Sequence, residues 1–104
     1  MAEIRWSVAA REDLKGIEDF IALDSPLVAV YFVDRLVEAA ERLTDFPESG
    51  RIVPEFGRDD LREVVFRSYR IVYLLRGDVV TVVRVVHAAR ALEALARREP
   101  REIE

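Results

Sequence analysis

Cysteine is absent from the 104-residue chain, and histidine, tryptophan and methionine occur once each. Without cysteine there is no disulfide framework, no thiolate nucleophile and no Cys-based zinc site, so a reducing compartment, the cytoplasm, is the expected location. A single histidine leaves no second imidazole to share a metal. The four glycines form no phosphate-cradling loop, and no serine stands in a nucleophile-elbow context. Acidic pairs such as Glu12-Asp13, Glu18-Asp19 and Asp59-Asp60 join sequence neighbours, which do not face each other on a helix, so they solvate polar surface rather than bind a cation. Neither metal nor other cofactor is expected. No stretch approaches the roughly 18 apolar residues of a membrane span, and Met1 to Val8 lacks a basic segment followed by an apolar run, so neither insertion nor export is expected.

What is present describes a globular protein. Hydrophobic residues make up 51% and charged residues 35% of the chain, too apolar for a disordered segment. A chain of this size builds one core and buries somewhat over about 60% of its unfolded surface. The net charge of -4 argues against a protein that coats nucleic acid non-specifically. Charge is nevertheless segregated: Leu61 to Arg90 holds six arginines against Glu63 and Asp78, a net +4, leaving -8 for the rest. A positive face on an acidic body would steer an acidic partner.

Glu3 to Val8 alternates Ile4, Trp6 and Val8, a strand with one buried face. From Ala9 to Leu23 the residues Ala10, Leu14, Ile17 and Ile21 recur three and four apart and line one helical stripe, widened by Phe20 and Leu23. Asp24-Ser25-Pro26 reads as a stop and restart, with Ser25 capping a second helix and Pro26 in its first turn. That helix is expected to run to about Phe46. Ala29, Val33, Leu36, Ala40 and Leu43 form its stripe, while Val30, Phe32 and Val37 broaden the apolar surface beyond what one packing partner requires.

Pro47 to Asp60 contains two prolines and two glycines and reads as an irregular connection. The period then becomes two over Leu61 to Phe66, Tyr69 to Leu75 and Val79 to Val86, an antiparallel meander whose second hairpin turns at Gly77-Asp78, glycine first. In the middle strand Tyr69, Ile71, Tyr73 and Leu75 share one face, and Arg70, Val72, Leu74 and Arg76 the other. Ala88 to Arg98 reads as a short helix closed by Glu99-Pro100. The chain is thus expected to be one α+β domain over residues 1–98, with residues 99–104 a charged tail.

His87, at the end of the last strand and three residues before Arg90, is the one side chain whose ordinary pKa suits a general base. A lone histidine at a strand end more often closes a structural hydrogen bond. Arg62, Arg70, Arg84 and Arg90 would form an anion-binding patch if cross-strand register brings them together. Glu63 points away from Arg62 if the strand is regular.

The order strand, helical hairpin, loop, three-stranded meander and short helix resembles the ParE/RelE superfamily of toxins. The likeness is carried by Ser25-Pro26, Phe46-Pro47 with Gly50-Arg51, Arg62-Glu63, Tyr69-Arg70-Ile71-Val72-Tyr73 and His87-Ala88-Ala89-Arg90. It implies a small toxin neutralised by a cognate, ParD-like antitoxin, and the apolar helix face and basic sheet make Val30, Val33, Val37, Arg62, Arg70, Arg84 and Arg90 the candidate contacts for antitoxin or target. It also implies one of two targets. ParE-like members are directed at DNA gyrase, by contact rather than by catalysis; RelE-like members cut messenger RNA in the ribosome, for which Arg70, Arg84, His87 and Arg90 would be the candidate residues here. RNA cleavage needs a base, cations for the phosphate and help for the leaving oxygen. Val64 and Val65 stand near where the nuclease branch places lysines, and Ala94 and Leu95 lie in a last helix without a terminal Tyr or His. These departures favour the gyrase-directed branch, with a ribosome-dependent endonuclease and a non-toxic, autoregulatory partner of an antitoxin as the other readings.

Overall fold

The computed structural model describes residues 1–89. A short first strand, β1 (Glu3–Trp6), ends because Ser7 starts the helix α1 (Val8–Ala22). The Ser7 hydroxyl oxygen accepts from the Ala10 amide at 3.0 Å and donates to the Val83 carbonyl at 2.9 Å, so one residue caps α1 and ties it to the sheet. Helix α2 (Pro26–Glu41) begins as its sequence requires, with the Ser25 hydroxyl accepting from the Val28 amide at 3.2 Å and proline in the first turn. It stops earlier than the expected Phe46. A 3-10 turn over Arg42–Thr44 replaces the last α turn and seats Leu43 beneath the sheet.

The remaining strands are β2 (Arg51–Ile52), β3 (Leu61–Phe66), β4 (Tyr69–Arg76) and β5 (Val79–His87). The sheet order is β1-β5-β4-β3-β2, antiparallel throughout except that β1 runs parallel to β5. The meander is therefore the centre of a five-stranded sheet, and β2 corrects the expectation of a wholly irregular connection. Two residues paired only with Arg62 and Glu63 leave no alternation to detect. Gly77 takes φ 59° in the turn between Arg76 and Val79, as a glycine-first hairpin requires, whereas the β3–β4 hairpin places Arg67 at φ 55°.

Both helices cover one face of the sheet. Ala10, Ile17, Leu36, Ala40, Ile71, Val82 and Val85 form the core there. Phe32 stacks edge-on against Phe66 and Tyr69 at 5.5 and 5.8 Å. The opposite face buries Val53, Leu61, Val72, Leu74, Val83 and Val86, with Phe56 packed over them. Its cover is the loop between β2 and β3, since Val53 and Phe56 both lie there. Strand β5 carries a bulge: Tyr73 pairs with Val82 and Val72 with Arg84, so Val83 is the extra residue and the side-chain alternation shifts phase. The expected helix from Ala88 to Arg98 and the tail lie, apart from Ala88 and Ala89, outside the described residues.

Candidate partner-binding surfaces and the arginine network

The four arginines of the expected patch do not converge. Arg62 faces the helix side of β3, where its Nη1 donates to the Gly50 carbonyl at 3.1 Å and its Nε to the Asp59 carbonyl at 3.2 Å. Arg70 points from the opposite face and is only 7% exposed. Its Nη1 and Nη2 donate to the two carboxylate oxygens of Glu55, each at 2.9 Å, and its Nε donates to Glu63 at 2.7 Å. The second oxygen of Glu63 accepts from Arg51 Nε at 2.6 Å. The Glu55 carboxylate raises the Arg70 pKa still further above its ordinary value, with Glu63 adding to it against the opposing effect of burial. Arg90 lies outside the described residues.

Glu63 does point away from Arg62, because a regular strand alternates its side chains. The consequence is a buried carboxylate joined to Arg51 and Arg70 rather than a solvated one. Glu55, paired with Arg70, and Arg51, paired with Glu63, complete this network, and strand periodicity marks neither for that role. Glu55 belongs to a segment without periodicity, so nothing local marks its direction.

Arg84 finds a partner on the helix side. Its Nε and Nη2 donate to Asp13 at 2.8 and 3.1 Å, and the Val85 amide donates to the same carboxylate at 2.8 Å. Strand β1 pairs with β5 only from Val79 to Val82. Asp13 thus occupies the open edge beyond it, satisfying an amide that a longer β1 would have taken. Hydrogen bonding to Asp13, outweighing burial, raises the Arg84 pKa. The expected positive face is in large part an internal set of ion pairs.

His87 is exposed; its ring stacks edge-on against Tyr69 at 5.4 Å, and its Nδ1 accepts from the Ala89 amide at 3.2 Å. That places the residue at the exit of β5 in a local backbone contact. Among the described residues no group of three or more His, Cys, Asp or Glu is arranged to hold a metal ion.

The three valines of α2 separate by exposure. Val30 is half exposed, Val33 packs against the helix-side core, and Val37 lines a groove of about 340 Å³ with Ile4, Trp6 and Leu14. Arg5 and Arg11 also line that groove, Arg5 paired with Glu3 and Arg11 donating to the Trp6 carbonyl at 3.1 Å. The groove lies where β1, α1 and α2 meet. Sequence periodicity marked Ile4, Trp6 and Leu14 as inward-facing but gave no sign that the three elements stop short of closing over them.

Tyr73 explains why glycine stands at position 50. Its hydroxyl donates to the Pro47 carbonyl at 2.7 Å and accepts from the Gly50 amide at 3.0 Å. A β-carbon at Gly50 would sit 2.5 Å from that hydroxyl and 2.7 Å from the Glu63 carbonyl, closer than packed atoms approach.

This fold, one five-stranded sheet with a helical hairpin on one face, is similar to that of a chain in the chromosomal ParDE toxin-antitoxin system from P. aeruginosa. The TM-score is 0.71 over 84% of this chain and 96% of that one, at 21% identity. Residues 4–92 match the family described as the ParE toxin of the type II toxin-antitoxin system parDE, and the chain belongs to that family. It is also 41% identical over 91 residues to Toxin RelE2 of Caulobacter vibrioides, covering 86% of this chain and 99% of that protein.

Proposed function

We propose that this chain is a growth-inhibiting toxin that acts in the cytoplasm on DNA gyrase by protein contact, and that a ParD-like antitoxin neutralises it. The observation that carries the choice of target is the state of Arg70. An RNA-cleaving centre on β4 needs a cation turned toward phosphate, whereas this guanidinium is 7% exposed and already spans Glu55 and Glu63. Val64 and Val65, on the neighbouring strand, supply no charge in its place.

The antitoxin segment fits the groove beside Val37. Ile4, Trp6 and Leu14 accept apolar side chains, and Arg5 and Arg11 attract acidic ones. Val30 extends the contact along α2, and Val33 supports it from beneath. Arg62, Arg70 and Arg84 contribute through the ion pairs and backbone contacts that hold the strands and loop in place, and Arg90, outside the described residues, completes the proposed set. The name of the relative Toxin RelE2 keeps ribosome-dependent RNA cleavage as the second reading.

Induction without antitoxin separates the two. A DNA-damage response before translation falls, with purified gyrase impaired or trapped on cleaved DNA and ribosome-bound message intact, is the expected result. Site-specific cuts in ribosome-bound message that disappear in Arg70→Ala would overturn it.

A further inference from the structure

The tip of the helical hairpin carries a cluster of large apolar side chains exposed to solvent. Phe20 and Leu23 at the end of α1 are 70% and 82% exposed, and Leu27, Val28 and Tyr31 in the first turns of α2 are 81%, 54% and 62% exposed. Phe20 and Leu23 are neighbours at the end of α1, Leu27 and Tyr31 are neighbours at the start of α2, and the Asp24-Ser25 turn joins the two helix ends into one hairpin tip. Exposing so many large apolar groups together is unusual for a surface without a partner.

The charge around the patch selects the partner. Residues 8–41 hold eight acids against three bases, a net -5. Asp19 and Asp24 are exposed beside the apolar cluster, Asp19 in an open 3.6 Å pair with Lys15, while Arg35 lies over the Tyr31 ring at 4.5 Å. The groove at Val37, by contrast, is lined in part by Arg5 and Arg11. A second copy of the chain presenting the same surface would bring like charges together, which disfavours it.

We propose that the hairpin tip docks the toxin onto its target through a basic, amphipathic helical surface of that protein, separately from the antitoxin groove. The inference rests on the reading of the chain as a contact-acting toxin. Apolar side chains of the target helix cover Phe20, Leu23, Leu27 and Val28, while its Lys and Arg residues face the surrounding aspartates. Antitoxin and target then meet surfaces of opposite charge.

Two double variants test this: Leu23→Ser/Leu27→Ser removes apolar anchors, and Asp19→Lys/Asp24→Lys reverses local charge. All four side chains are exposed, so neither variant loses buried packing, and thermal melting verifies the fold. Both should still co-purify with the cognate antitoxin, yet lose growth arrest on induction and bind purified gyrase at least tenfold more weakly. The charge-reversed variant should also lose the weakening of gyrase binding that added salt causes in the unaltered chain. Full growth arrest by both variants, or loss of antitoxin binding with toxicity intact, overturns the proposal. If the unaltered chain does not bind gyrase but both variants still lose toxicity with antitoxin binding kept, the gyrase reading fails and the docking surface stands.

Discussion

The two faces of the sheet bury similar numbers of valine, leucine and isoleucine side chains but are closed by different means. On one, α1 and α2 lay apolar stripes over Ile71, Val82 and Val85. On the other, an irregular loop lays Val53 and Phe56 over Val72, Leu74, Val83 and Val86. Helices bring their own backbone hydrogen bonds, so apolar contact is most of what holds them here. A loop has no such ladder, and here it is pinned by charge, with Glu55 held by Arg70, and Arg70 and Arg51 sharing Glu63. Apolar burial, with polar ties at one edge from Ser7 to the Val83 carbonyl and from Asp13 to Arg84 and the Val85 amide, closes one face, and burial plus a largely desolvated ion network over the loop closes the other.

The sharpest way to break this comparison is Glu63→Ala. It leaves Arg70 buried with one counter-ion fewer, and a loss of about 3 kcal/mol is expected, the lower end for breaking a buried pair because Glu55 remains. Urea unfolding should show a cost comparable to that of Leu36→Ala on the helix face, about 2–5 kcal/mol. A Glu63→Ala protein as stable as the parent would mean that the loop is held by apolar contact alone.

Gly50→Ala tests the junction where the chain crosses toward the outer face. The added methyl meets the Tyr73 hydroxyl and the backbone of β3, so overpacking of about 1–3 kcal/mol is expected. Hydrogen exchange should quicken between Pro47 and Asp60 before it does in α1 or α2. Equal quickening everywhere would argue that the loop and helices unfold as one unit.

The smallest effect concerns Tyr73 itself. Burial raises its pKa above the ordinary tyrosine value, against the lowering effect of the Gly50 amide. Above a pH of about 10 the unfolded chain gives up this proton while the folded chain keeps it. The contribution of Tyr73 to stability should therefore be level below that pH and fall as pH climbs toward the raised folded value. Tyr73→Phe should lower stability by removing the Pro47 and Gly50 contacts, yet flatten the alkaline part of the profile. An unchanged alkaline slope would assign it to other groups.

Much of the secondary structure was legible because its signals are local. Ser25-Pro26 started α2, the three- and four-residue spacing in α1 identified its inner stripe, and Gly77-Asp78 placed a hairpin. The end of α2 was less legible, since Arg42 to Phe46 continues an apolar spacing and only the seat of Leu43 beneath the sheet decides that the turn tightens. The groove residues Ile4, Leu14 and Val37 were likewise recognisable as apolar positions on their own elements, though not as neighbours of one opening.

Composition and order by themselves determined an α+β chain without cysteine chemistry, with segregated charge and an excess of apolar surface on the helical hairpin, because each of these depends only on residue type and short-range spacing. Tertiary structure alone decided where the charges of the meander go. The bulge at Val83 shifts the face of every later side chain in β5, β1 stops at Val82 and leaves Asp13 to meet Arg84, and the loop returns Glu55 to Arg70. A period-two pattern states which residues share a face of one strand. It carries no information on register, strand length or what a loop sets against that face, and those decide whether an arginine meets solvent or a carboxylate.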